Sequence, residues 1–192
     1  MSDIAMNRAA RRPGALTQDL KRHYQLAGAR GWVSVLQCLR CPGVHAVIVF
    51  RFGTWTISCP KWSRIALDPL YWIANFLIQA VWGIDISRDA RIGGGLAIGH
   101  FGGITVSGRA VIGKDCNLSQ GTTIGMSGDG VPTIGDDVYI APGARVFGKI
   151  VVGNNVKIGA NAVVHKDIPD NAIVVLDPGF RILSYAGNRR RS

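Results

Sequence analysis

The chain has 192 residues, 47% of them hydrophobic, with 25 glycines and a formal net charge of +10. The length suits one domain, or a small domain with an appendage. The composition is too apolar for a disordered chain, and the glycines lack the period of three that marks collagen.

The charge is unevenly placed. Residues 1–84 carry ten Lys/Arg and three Asp, residues 85–188 carry nine of each, and Arg189-Arg190-Arg191 adds three more. These basic residues lack a recognition motif or interleaved aromatics, so no nucleic-acid partner is expected. The cysteines are Cys38, Cys41, Cys59 and Cys116. Cys38-Leu39-Arg40-Cys41 is a lone C-x-x-C, and a structural zinc site needs four ligands, so reduced thiols in a cytoplasmic protein and no metal are expected.

In chain order, residues 1–14 have no apolar core of a signal peptide and read as a disordered N-terminus. Residues 15–84 read as a helical subdomain. Trp32 to Cys41 and Val44 to Ile57 space their apolar residues as helices do, with Pro42-Gly43 as punctuation. The longest apolar run, Leu70 to Ile84, has 15 residues, against ~20 needed to span a bilayer. Asp68-Pro69 is expected to stop it from extending backward, with Pro69 in the first turn of the helix. A helix buried against the rest of the protein is the main expectation, and a peripheral helix on a membrane surface is the alternative.

From residue 86 the pattern changes to a period of six. The aliphatic positions are Ile86, Ile92 and Ile98, then Val106, Ile112, Leu118 and Ile124, then Ile134, Ile140, Val146, Val152, Ile158 and Val164. The fifth position of each hexad is small or aliphatic, and the second is often glycine. A strand alternates with period two and a helix with 3.6; neither gives six. Three short strands per triangular coil of about 18 residues do, with the aliphatic side chains stacked inward and Gly or Asn, such as Asn154-Asn155 and Asn161, at the corners. The fold class expected is mainly β, a parallel β-helix over residues 85–176, left-handed as in this repeat class. The N-terminal helices cap its first coil, because an open coil end exposes unpaired edges. Residues 177–192 form a C-terminal segment with a basic tail. Two phase breaks interrupt the repeat: two extra residues near Ile104-Thr105, and four within Met126 to Thr133. Loops that leave a rigid scaffold are where substrate contacts are expected.

Several segments now carry a resemblance. They are Gly83-Ile84-Asp85-Ile86, the run Ile98 to Ile104, Gln120 to Gly125 and Ile158 to Val164, preceded by Cys41 to Ala46, Arg51 and Trp55. Over roughly residues 30–175 the chain resembles the hexapeptide acyltransferases, with closest likeness to serine acetyltransferases and their relatives. The resemblance implies acetyl-CoA as co-substrate, a homotrimer or dimer of trimers, His100 as general base and Asp85 as its carboxylate partner. It implies coenzyme A contacts at Pro142, Ala160, His165, Lys166 and Arg181. The chemistry is coherent, since transfer to a hydroxyl needs a base near neutral pKa and histidine is the natural choice. The repeat holds only His100 and His165, too few for the three-histidine metal site of carbonic-anhydrase-like β-helices.

The likeness has departures. Gly99 stands where serine acetyltransferases carry Asp before the catalytic His. The loop Met126 to Pro132 lacks their Arg-His-Pro, the N-terminal helices lack Asp-Pro-Ala, and Val175 to Arg181 keeps only the proline of Gly-x-Pro-Ala. In that family the Asp, Arg-His-Pro and Asp-Pro-Ala groups hold the amino and carboxylate ends of serine, and their loss is costly for an amino-acid acceptor, whereas the altered Gly-x-Pro-Ala bears on the coenzyme A contacts. The expected acceptor is therefore a sugar hydroxyl in exopolysaccharide or surface-glycan biosynthesis. Serine O-acetylation for cysteine biosynthesis is the alternative, and a catalytically inactive trimeric scaffold is the alternative of a different class.

Overall fold

The computed structural model describes residues 14–28 and 40–176. The expectations for residues 1–13, for most of Trp32 to Cys41, and for the tail with Arg181 lie outside the described residues.

Among the described residues three helices precede the repeat: α1 (Ala15–Leu26), α2 (Pro42–Ser58) and α3 (Lys61–Trp82). Pro42 opens α2, where a missing N–H costs nothing. Gly83 closes α3 in the left-handed region, φ 62°, with its N–H donating to the Gln79 carbonyl. Two expectations for α3 need correction. The helix begins at Lys61, capped by Pro60, and Pro69 lies inside it. The turn around Pro69 is held at Asp68, which pairs with Arg88 of the first coil at 2.6 Å and with Arg64, one turn back in the same helix, at 3.4 Å. Nor is α3 buried: only Tyr71, Asn75 and Ile78 are. The small first coil offers one face to the helices, and Val44, Val47 and Phe50 of α2 cover it at 0–2% exposure, so α3 packs on the flank of α2.

Residues 84–174 wind into a left-handed parallel β-helix of 14 strands, β1 (Ile84–Ile86) to β14 (Ile173–Val174). Its three faces are sheets in the order β1-β4-β7-β10-β13, β2-β5-β8-β11 and β3-β6-β9-β12-β14. All pairings are parallel. The thirteen aliphatic positions of the sequence repeat are all buried, at 0–3% exposure. Each such side chain contributes about 1.5–3 kcal/mol by leaving water.

The phase breaks fall where the repeat arithmetic puts them. Ile86 registers with Val106, Val106 with Ile124, Ile124 with Val146 and Val146 with Val164. The two long steps are the coil ending in the Gly99–Gly103 corner and the coil holding loop 126–132. One corner column runs Gly83, Gly103, Gly121, Gly143, Asn161, every member at φ 57–73°. A left-handed turn is required at each level, and only Gly or Asn takes it cheaply.

The cap on the first coil is polar as well as apolar. Asp19 of α1 is fully buried; its Oδ1 accepts from the Leu96 N–H at 2.8 Å, and its carboxylate takes a two-pronged contact from Arg51 of α2, Nε at 2.7 Å and Nη2 at 3.1 Å. The same guanidinium donates to the carbonyls of Ile92 and Gly93. His23 Nε2 accepts from the Ile98 N–H at 3.0 Å, which leaves Nδ1 to donate to the Asp19 carbonyl at 2.9 Å and fixes the neutral tautomer. Together these groups stand in for the missing preceding coil. Burial pushes the Asp19 carboxyl above the usual range, against the pull of Arg51 and the Leu96 N–H.

Candidate active site

The third face organises the site. Ile98 registers with Leu118, Leu118 with Ile140, Ile140 with Ile158. Two residues further along each coil, His100, Gln120, Pro142 and Ala160 therefore occupy one corner column, with coils about 4.8 Å apart. The extra residues of the first phase break sit here. The corner that takes three residues in later coils takes Gly99 to Gly103 in the first, which carries His100 and Phe101 outward; both are exposed. Gly102 stays tied in, its carbonyl accepting from the Gly121 N–H at 2.7 Å. Three sequence candidates, His100, Pro142 and Ala160, are thus brought into one line on the outside of the helix. Gln120 completes that column; it is not among the sequence candidates, although it follows Leu118 by two positions as His100 follows Ile98.

Asp85 lies on β1 and points outward, registered with Thr105 of β4, the strand that the His100 corner feeds. Its Oδ1 accepts from the Gln79 amide of α3 at 2.9 Å. No hydrogen bond joins Asp85 to His100 in this geometry, so the carboxylate is steadied by the helix and stands one strand away from the base. Phe101 packs edge-on against Trp82 at 5.3 Å, and Trp82 lies 6.2 Å from the His45 ring. The end of α3 therefore holds Asp85 directly and packs against Phe101, the residue after His100. Neither Gln79 nor Trp82 carries a motif, and the sequence offered no signal for them.

Behind His100 a cavity of about 310 Å³ opens between α1, α2 and the first coil. His23, Leu26, Cys41, Val44 and Ile98 line it, with Gly99 and His100 at its edge. Its lining is mostly apolar, as ligand pockets usually are.

The other candidates sit elsewhere. His165 and Lys166 are exposed just past β13 (Val163–Val164), at the next corner of the triangular coil, where His165 stacks on Phe147 at 6.3 Å. Loop 126–132 leaves the helix from that same second corner, closed by a bridge between Ser127 and Gly130 and held by Arg109, which donates to the Asp129 carbonyl at 3.4 Å. Within one chain, then, the loop does not reach the His100 corner. Among the described residues no three His, Cys, Asp or Glu side chains are grouped to hold a metal.

Residues 132–166 match the family model described as bacterial transferase hexapeptide, six repeats. The serine acetyltransferase of Bacillus subtilis is 38% identical over 170 residues, covering 85% of this chain and 73% of the relative. The chain belongs to the serine acetyltransferase family of hexapeptide transferases. The Synechococcus elongatus serine acetyltransferase is 34% identical over 165 residues, 84% of this chain but 64% of the relative, so the chain spans about two thirds of the length of such family members. Among solved structures, the serine acetyltransferase of Neisseria gonorrhoeae in complex with serine superposes with a TM-score of 0.70 at 32% identity, covering 92% of this chain and 68% of that one. Serine acetyltransferases thus share with this chain the coil stack and the helices that cap it.

Proposed function

We propose that this protein is an acetyl-CoA-dependent O-acetyltransferase. The reading is carried by the His100 corner: an exposed imidazole on a bulged coil, heading a column of Gln120, Pro142 and Ala160 and edging an apolar cavity. His100 removes the proton from the acceptor hydroxyl as its oxygen attacks the thioester carbonyl, then returns a proton to the departing thiolate of coenzyme A. Asp85, steadied by Gln79, stabilises the imidazolium that forms between these steps. Small residues at Pro142 and Ala160 leave room for the pantetheine arm of acetyl-CoA beside the backbone. Lys166, with His165, supplies positive charge for the phosphates, and Arg181 of the C-terminal segment is assigned the same task.

We infer a homotrimer, or a dimer of such trimers. The His100 column and the corner bearing Lys166 and loop 126–132 are different corners of one triangular coil. A three-fold arrangement, in which one copy's first corner faces its neighbour's second, gathers both into one cleft. We infer a cytoplasmic working site, because that is where acetyl-CoA is supplied.

The names of the relatives put serine first among acceptors. A second reading, a neutral sugar hydroxyl such as those of exopolysaccharide precursors, is favoured by a specific observation. Loop 126–132 carries no Arg or His, and Gly99 precedes the base, so the described residues provide no paired clamp for an amino acid's two charges. The test is one assay: acetyl-CoA with serine and with a panel of neutral sugars, following free thiol and product mass. Acetyl transfer to any hydroxyl supports the enzyme, and the preferred substrate selects the acceptor. Absence of transfer with every acceptor would favour the inactive scaffold.

A further inference from the structure

The outward face of α3 is unaccounted for by the proposed chemistry. From Trp62 onward every exposed residue of the helix is apolar, while Arg64, Asp68, Asn75 and Gln79 turn toward the protein. The usual amphipathic arrangement is inverted. Trp62, Ile65, Trp72, Ile73, Phe76 and Leu77 are each more than half exposed, and only 17% of the most apolar stretch is buried. Soluble monomers rarely leave so continuous an apolar stripe in water.

We propose that α3 lies flat on an anionic lipid bilayer and holds the His100 corner at the membrane surface. Charge argues for that occupant. Residues 1–84 carry ten Lys/Arg against three Asp, and the one acid in α3, Asp68, is already paired with Arg88 and Arg64. At the start of the helix Lys61, Arg64, Ile65, Asp68 and Pro69 line a shallow depression; its one carboxylate, Asp68, is held by Arg88 and Arg64, and Lys61 is exposed there to meet a lipid phosphate. Tryptophans at 62 and 72 fit the interfacial zone, where an apolar ring with a polar N–H is most stable.

The helix is 22 residues long, apolar enough by composition to cross a bilayer. It does not span, because it is fastened to the protein near both ends. Arg88 of the first coil holds Asp68 and stacks on Tyr71 and Trp72, while Gln79 holds Asp85. A spanning α3 would drag the exposed backbone of the first coil into hydrocarbon. Lying flat, it puts Trp82 and the Phe101 that packs on it next to the interface, where an acceptor carried on a lipid would meet the base.

The test is co-sedimentation of the full chain with phosphatidylcholine vesicles containing phosphatidylglycerol and with phosphatidylcholine alone. Binding to the anionic vesicles, weakened by salt and accompanied by a blue shift of tryptophan emission, is expected. The double variant Ile73→Asp/Phe76→Asp should bind more weakly by roughly tenfold or more, with the mass and circular dichroism of the parent. Both positions are exposed and lie outside the Arg88 and Gln79 contacts that fasten α3, so folding is not at risk. Two results would overturn the proposal. One is no binding to anionic vesicles. The other is a fall in molecular mass in the double variant, which would show that a second copy of the chain covers this face. Vesicle binding is read without turnover, so the result is independent of the acceptor.

Discussion

Single side chains show how strictly the coil interior is specified. Cys116 occupies a fifth-position site at 1% exposure, and burial pushes its thiol up to about 12. The thiolate is the reactive form, so Cys116 should resist iodoacetamide in the native protein at mildly alkaline pH and react on unfolding; peptide mapping by mass spectrometry reads the difference. Thr122 sits in the equivalent column, fully buried, with a hydroxyl that has no hydrogen-bond partner. Thr122→Val keeps the shape and removes the stranded polar group. It should raise stability by about 1 kcal/mol, read as a higher midpoint in urea. Sequence periodicity located both positions, because the hexad assigns a direction to every side chain. It could not tell that Thr122 lacks a partner, since that depends on neighbours one coil away.

At the scale of elements, the helices attach to the repeat through a few polar contacts as well as apolar packing. Asp19→Ala would leave Arg51 buried without its carboxylate and the Leu96 N–H without its acceptor. A loss of about 3–5 kcal/mol is expected, measured by chemical denaturation. The α3 attachment is acid-sensitive. The Arg88 guanidinium holds the Asp68 carboxyl below its ordinary value of 3.8. A lowered folded pKa means that this contact stabilises fully above about 3.8 and is lost as pH falls through the lower folded value. Asp68→Asn should therefore flatten the acid limb of the stability–pH curve, with little change in the slope above pH 5 where the carboxylate is ionised in both states. The capping role of residues 15–84 was legible, because an open coil end needs cover. The contacts were not: Asp19, Arg51 and His23 are separated by up to 32 residues in sequence and follow no period. The reading of α3 failed for a related reason. Hydrophobicity measures what a helix can bury, whereas the small first coil limits what is available to bury it.

At the scale of the whole molecule, the rise of one coil per turn converts sequence spacing into position. It is why thirteen aliphatic residues form one core, why two breaks in the period become two protruding corners, and why His100, Pro142 and Ala160 fall in line although 60 positions separate the first from the last. The fold was thus almost wholly legible. The site was legible in part, because a period places residues on a corner but says nothing about which corner of a second copy it meets. The most direct test is the rate of free coenzyme A release from acetyl-CoA, with the best acceptor saturating, for the parent and for His100→Ala of unchanged circular dichroism. A fall of roughly 10²–10⁴-fold is predicted for loss of the general base, and turnover by His100→Ala at the parental rate would contradict the account.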